Sequence, residues 1–232
     1  HFWKGKKVLV TGHTGFKGSW LSTWLLDLEA TVAGYSLNIP THPSHFESLA
    51  IVNKIEHFIG DVRDKKALQQ VLKQFRPEIV FHLAAQSLVR ESYKNPALTL
   101  ETNAVGTLNL LDCIREPSSV EVAVLITSDK CYENVEWVWG YRENDRLGGK
   151  DPYSASKACA EIISKAYMES FFRSSGPNIA TTRAGNVIGG GDWADNRVVP
   201  DCVRAWSKGE PVLIRNSNAT RPWQHVLEPL SG

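Results

Sequence analysis

The stretch Val8-Leu9-Val10-Thr11-Gly12-His13-Thr14-Gly15-Phe16-Lys17-Gly18 constrains the fold more than any other part of the chain. A short apolar run ends in three glycines, and apolar residues at helical spacing follow from Phe16 to Leu28, so the chain opens strand, tight turn, helix. Glycine at these positions lets the backbone turn sharply and approach a pyrophosphate with no Cβ in the way. The amides and positive end of the following helix then hold the phosphates. Gly12, Thr14, Gly15, Phe16, Lys17 and Gly18 are therefore candidate contacts to a dinucleotide. A Walker-type triphosphate loop is excluded, because Lys17 comes one position too early and no Gly-Lys-Ser/Thr triplet exists.

The same alternation continues down the chain. Strands are expected at Thr31 to Tyr35, Ile55 to Ile59, Ile79 to Leu83, Val122 to Thr127 and Asn178 to Arg183. Helices are expected after Asp64, with Leu68, Val71, Leu72 and Phe75 on one side, and over Thr99 to Arg115 and Ser154 to Arg173. Near-continuous apolar strands alternating with helices predict an α/β fold, a Rossmann doubly wound parallel sheet. After about Asn186 the texture turns to Gly, Asp, Trp, Asn and Pro, followed by a helix candidate from Val198 to Trp206. The expected division is a dinucleotide-binding domain over 1–187 and a smaller, incomplete substrate-binding lobe over 188–232. The chain stops at Gly232 soon after this lobe begins, with no further strand or helix expected, which reads as a piece of a longer polypeptide.

Bulk properties narrow the partners. With 232 residues and 42% hydrophobic content, the chain supports one large core and is short for two. A net charge of +1 from 26 basic and 25 acidic residues gives no broad field for nucleic acid, so an anionic partner must meet a local site. Cys113, Cys131, Cys159 and Cys202 lack metal or disulfide spacing. His42 and His45 lie on a Pro-rich loop without companion ligands, so no metal is expected. No run approaches the roughly 18 apolar residues of a membrane span, and His1 to Lys7 lacks a signal-peptide core. A cytoplasmic location is the expectation. The eight tryptophans are scattered, and most are expected to serve packing.

The acidic residue expected after the second strand to hold an adenosine ribose is missing, since Tyr35-Ser36-Leu37-Asn38 stands there. Ser36 or Asn38 is a candidate ribose contact and Asp61-Val62 a candidate adenine contact, the alternative being ordinary turn residues. NAD and NADP are not separated by this position. In Tyr153-Ser154-Ala155-Ser156-Lys157, a spacing of four brings phenol and ammonium onto one helix face. A cation beside a phenol stabilises the phenolate, so Tyr153 is the candidate base and Lys157 its partner, both also touching the cofactor. Thr127-Ser128-Asp129-Lys130 ends the fifth strand, where side chains reach a ligand at the sheet's carboxyl edge.

The turn Thr11 to Gly18, His82-Leu83-Ala84-Ala85-Gln86, Asn103 with Gly106-Thr107, and Tyr153/Lys157 resemble the extended short-chain dehydrogenase/reductases that act on nucleotide sugars. Within that family, Ser128-Asp129-Lys130, the run Gly189 to Arg197, and Arg221-Pro222-Trp223-Gln224-His225-Val226 are most similar to the 4,6-dehydratases acting on CDP-glucose. The resemblance implies NAD as cofactor. The implied reaction is oxidation at carbon 4, loss of water across carbons 5 and 6, and hydride return to carbon 6. It implies that Ser128 and Tyr153 meet the carbon 4 hydroxyl, that Lys157 holds the nicotinamide ribose, and that Asp129 protonates the departing carbon 6 hydroxyl. Lys130 stands where better-known dehydratases of dTDP-sugars carry Glu, and its role is base or enolate stabiliser.

It further implies Leu83, Ala84 and Ala85 along the cofactor, Asn103 supporting the site through its backbone, and Gln86 near the sugar. Asn186, Arg197, Arg215 and Arg221 are the implied contacts to the substrate diphosphate, for which forked guanidinium donors suit. A homodimer through a four-helix contact and a place in bacterial surface-polysaccharide synthesis (O-antigen) are also implied. The alternatives are a nucleotide-sugar 4-epimerase and a non-catalytic NAD-binding regulator.

Overall fold

The computed structural model describes residues 2–214 and 216–232. Strand β1 (Lys7–Thr11) leads through the glycine turn into α1 (Phe16–Asp27) and returns as β2 (Thr31–Ser36). A short α2 (His45–Ser48) precedes β3 (Glu56–Ile59), α3 (Lys65–Phe75) and β4 (Ile79–His82). Two short helices follow, α4 (Val89–Lys94) and α5 (Pro96–Leu100), then α6 (Gly106–Arg115), β5 (Val122–Ile126), α7 (Pro152–Tyr167) and β6 (Asn178–Thr182). The six strands form one parallel sheet in the order β3-β2-β1-β4-β5-β6. The order in which strands are added reverses between β1 and β4, so a crevice opens at the carboxyl ends of those strands.

The core explains the alternation. Along β1, Leu9 faces a layer with Leu68, Leu72 and Phe75 of α3 and Leu110, Leu111 and Ile114 of α6. Val8 and Val10 face the opposite layer, with Leu21 and Leu25 of α1 and Val32 of β2. Each such side chain, fully buried, contributes about 1.5–3 kcal/mol relative to exposure. Helix ends are set by local chemistry. Asp64 caps α3 by accepting from the Ala67 amide (3.1 Å), and α3 stops where Arg76 takes a left-handed conformation (φ 55°). Asp151 caps α7 through the Ser154 amide (3.0 Å), with Pro152 in its first turn.

Three expectations are corrected. The helix expected over Thr99 to Arg115 is α5 and α6 joined by a π-helical turn, Glu101–Val105, and a second π turn, Met168–Phe172, follows α7. The lobe after β6 is more regular than expected. It holds β7 (Asn186–Ile188), α8 (Val198–Ser207), β8 (Trp223–His225) and α9 (Leu227–Ser231), with β7 and β8 paired in parallel. Three-residue strands are too short to show a period, which hid them; the boundary expected after 187 falls inside β7. Trp137, Trp139, Trp206 and Trp223 are exposed, so packing does not explain half of the tryptophans. Among the described residues no helix is long and apolar enough to cross a membrane.

Candidate active site

The glycine turn lies at the topological reversal. Gly12 has φ +75°, and a Cβ there would sit 2.7 Å from the Ala84 amide nitrogen and 2.8 Å from the Leu83 carbonyl carbon. A Cβ at Gly18 would fall 2.2 Å from the Gly12 oxygen, so α1 packs directly on the turn only because Gly18 has none. Gly15 precedes α1, and no side chain caps that helix end. The first-turn amides of Phe16, Lys17 and Gly18 thus form an anion site. Thr14 is buried, its hydroxyl donating to the Asn38 carbonyl (2.6 Å).

His13 braces the turn from below. Its ring is buried, with Nδ1 2.9 Å from the Ser36 hydroxyl and Nε2 2.7 Å from His57 Nδ1. Burial, then repulsion from His57, pushes His13 down to about 3. Sequence reading passed over it, although a signal existed. Gly34 interrupts a strand, and a Cβ there would lie 2.2 Å from the His13 ring. The Ser36 hydroxyl, expected on a ribose, is turned inward on His13 and on the Thr14 amide (3.4 Å). Asp61 is paired with Arg63 (2.7 Å), and Val62 is buried beneath Gly106, where a Cβ would meet it at 2.7 Å.

Beyond β4, the Leu83 amide donates to the Thr11 carbonyl (3.0 Å), and the Ala84 amide to the Thr11 hydroxyl (3.2 Å). Ala85 follows, half-buried, and the Gln86 side chain is occupied within its own loop. It donates to Leu88 O (3.1 Å) and Thr99 Oγ1 (2.9 Å) and accepts from the Leu88 amide (2.6 Å). Asn103, on the π turn, accepts from the Gln86 amide (2.8 Å) and donates to Gln86 O (2.9 Å) and Ser156 Oγ (2.8 Å). Its side chain, rather than its backbone alone, ties the cofactor-facing loop to α7.

Tyr153 and Lys157 lie buried on the first turns of α7, facing the end of β5. Lys157 Nζ donates to the Ile126 carbonyl (3.1 Å). Burial first, then Lys17 opposite, push Lys157 down to about 8, while Glu161 and Cys131 resist. Burial pushes the Tyr153 phenol above its ordinary value, opposed by its hydrogen bond with Ser128 and by Arg197. This is opposite in sign to the lowering expected from the spacing, because desolvation of the ring outweighs the cations present in the protein.

Ser128, Asp129 and Lys130 form one cluster: Ser128 Oγ donates to Asp129 Oδ1 (3.0 Å), and Lys130 Nζ pairs with the same oxygen (3.4 Å). Asp129 also faces Lys17, which burial pushes down to about 8 with help from Arg197. Six polar side chains, Lys17 of α1, Ser128, Asp129 and Lys130 after β5, and Tyr153 and Lys157 of α7, thus surround the mouth of the crevice. They comprise proton donors, acceptors and a hydroxyl, the set needed for proton transfer to and from a hydroxyl-bearing ligand.

From the second lobe, Arg197 reaches Asp192 (2.8 Å) and Ser87 (3.3 Å), bridging to the loop after β4. Asn186 on β7 has a buried Oδ1 with no hydrogen-bond partner. Arg221 is exposed, with its guanidinium on the Thr220 carbonyl (2.6 Å), and Arg215 lies outside the described residues. Arg90, which sequence reading missed, donates to Asn196 from α4 (3.0 Å). Among the described residues no group of three His, Cys, Asp or Glu side chains is placed to hold a metal ion.

A Rossmann sheet with an uncapped helix end at its reversal point and a Tyr/Lys helix facing it defines a dinucleotide-dependent protein of the short-chain dehydrogenase/reductase class. The chain belongs to the GDP-mannose 4,6 dehydratase family, whose model matches residues 9–231. It is 54% identical to a CDP-glucose 4,6-dehydratase of Salmonella typhimurium over all of its own length and 66% of that relative's, so it spans just under two thirds of the relative. Among solved structures it is similar to the Thermus thermophilus UDP-glucose 4-epimerase complex with NAD (TM-score 0.84, 29% identity, 97% of this chain and 72% of that one). It is equally similar to the Streptomyces venezuelae dTDP-glucose 4,6-dehydratase with NAD bound (TM-score 0.84, 25% identity, 97% and 70%).

Proposed function

We propose that this chain carries the catalytic centre of an NAD-dependent hydro-lyase that converts CDP-glucose to CDP-4-dehydro-6-deoxyglucose. The convergence of Ser128, Asp129, Tyr153 and Lys157 at the mouth of the glycine turn carries the reading. NAD fits the cradle that Cβ atoms at Gly12 and Gly18 would fill. Thr14, Gly15, Phe16, Lys17, Ser36, Asp61, Val62, Leu83, Ala84, Ala85, Tyr153 and Lys157 would line it. NAD held there would supply the hydride acceptor for oxidation at sugar carbon 4 and the hydride for carbon 6.

Tyr153 takes the carbon 4 hydroxyl proton, with Ser128 holding that hydroxyl. The positive charge that oxidised NAD would bring to this cradle would oppose the burial that raises the Tyr153 phenol. Asp129 gives a proton to the departing carbon 6 hydroxyl. Lys130, 3.4 Å from Asp129 Oδ1, serves the elimination at carbon 5 as base or enolate stabiliser. Gln86, Asn186, Arg197, Arg215 and Arg221 remain the proposed substrate contacts, and Arg197 already lies beside the catalytic cluster. The protein works in the cytoplasm as a homodimer. The exposed Leu98, Leu100, Val105 and Ile162, on α5, its π turn and α7, fit a four-helix contact between copies.

A 4-epimerase needs the same phenol and lysine but no acid at carbon 6, so Asp129 is the residue that favours dehydration. Incubation with CDP-glucose and NAD should yield a product whose alkaline ultraviolet band marks a 4-keto-6-deoxy sugar. A galactose epimer without that band would overturn the assignment. Tyr153→Phe should abolish turnover while NAD still binds, and a non-catalytic NAD sensor would show no turnover at all.

A further inference from the structure

Behind the proton-transfer pair lies a buried ion pair that the proposed chemistry does not use. Glu161 follows Lys157 by four residues and Tyr153 by eight, so the three share one stripe of α7. Its side chain is 4% exposed and accepts from Arg183 in a two-pronged contact, Nε at 2.8 Å and Nη2 at 2.9 Å. The Thr127 hydroxyl donates to the same carboxylate. Thr127 immediately precedes Ser128, and its amide donates to the Thr182 carbonyl (2.9 Å). Arg183 follows β6, lies over the Tyr132 ring at 4.9 Å, and donates to Tyr132 Oη (2.8 Å) and the Glu143 carbonyl (2.9 Å). The ends of β5 and β6 and the middle of α7 therefore close on one carboxylate.

The surroundings of Lys157 give that carboxylate a second consequence. Lys17 of α1 opposes a charge at Lys157, His82 of β4 is held neutral beside it, the thiol of Cys131 lies nearby after β5, and Glu161 supplies the negative charge facing it. His82 has a buried Nε2 with no hydrogen-bond partner, so β4 offers Lys157 no compensating anion. Burial and Glu161's neighbours act on it in opposite directions. Burial works to raise the carboxyl, and Arg183 and Thr127 outweigh it, so Glu161 stays ionised.

We propose that Glu161, clamped by Arg183 and Thr127, is a positioning residue for proton transfer: it fixes the Tyr153–Lys157 face of α7 against Ser128 and sets a carboxylate one helical turn from Lys157. The inference rests on the reading of Tyr153 and Lys157 as the proton-transfer pair. A helix held by packing alone would keep its place without the carboxylate. An ammonium needs the charge itself.

The test uses the full chain labelled with ¹³C at lysine Cε, with the Lys157 resonance assigned by its loss in Lys157→Arg. Glu161→Gln keeps the shape and removes the charge, and should move the Lys157 titration midpoint down by about one unit. The alkaline limb of the turnover profile should move with it. Glu161→Asp keeps the charge and should leave the midpoint near that of the parent. Arg183→Gln bares the carboxylate and should move the midpoint up. An unchanged midpoint in a folded Glu161→Gln overturns the proposal, and if that variant does not fold, a midpoint in Arg183→Gln that fails to rise overturns it instead. Turnover surviving in Tyr153→Phe overturns the underlying reading, with the Lys157 midpoint in Glu161→Gln still informative about the clamp.

Discussion

Asn103 shows how much one residue can carry. Its three hydrogen bonds hold both backbone groups of Gln86 and the Ser156 hydroxyl, and Ser156 in turn donates to the Tyr153 carbonyl (2.7 Å). Asn103→Leu fills similar space but leaves the Gln86 amide and carbonyl buried without partners, at about 1–3 kcal/mol each. Urea unfolding should show a loss of about 2–4 kcal/mol, and turnover should fall because the loop after β4 and the start of α7 lose their common tie. Gly18→Ala tests the turn in the same way, since its Cβ would overlap the Gly12 carbonyl at 2.2 Å. NAD titration should show binding weakened at least tenfold, and unchanged binding would mean that α1 shifts without loss. The glycine spacing was legible because only glycine fits such contacts. The orientation of Ser36 and Gln86 was not, because their partners His13 and Thr99 are brought to them by tertiary packing rather than by closeness in sequence.

At the scale of elements, legibility followed periodicity. Leu68, Val71, Leu72 and Phe75 are all buried on α3, and the six sheet strands lie within a residue or so of where apolar runs predicted them. The π turn at Glu101–Val105 was invisible, since the apolar pattern continues through it while the backbone widens by one residue and turns Asn103 inward. Helices α2 and α4 were too short for any period to register. The outer face of the same region makes a prediction of its own. Ile162 is 58% exposed in the middle of α7, and Val105 is 42% exposed on the π turn. If these faces pair between two copies, Ile162→Glu places a charge in an apolar contact, and light scattering should show the dimer converted to monomer. A dimer that persists in this variant would place the interface elsewhere.

Across the whole molecule, buried histidines link stability to pH. Burial pushes His13 and His82 down to about 3, and it also lowers His45 and His57. In the unfolded chain each titrates near 6.5. Above that value both states are neutral and the contribution is complete. As pH falls, the unfolded chain binds protons that the folded rings refuse, so stability is lost progressively until the folded value is reached. The carboxylates held below their ordinary range, among them Asp61, Glu78 and Glu161, act only below about pH 4.5, where the unfolded carboxyls begin to protonate. Between pH 6.5 and 5 the histidines therefore dominate, and His13 and His82 each contribute a slope approaching about 1.4 kcal/mol per pH unit. Urea midpoints measured from pH 7.5 to 5 should fall steadily, and His82→Gln should flatten the slope by up to one proton. A midpoint that does not change over that range would show that the rings under the turn and at the end of β4 take up protons without unfolding, and would overturn their assignment as buried neutral groups.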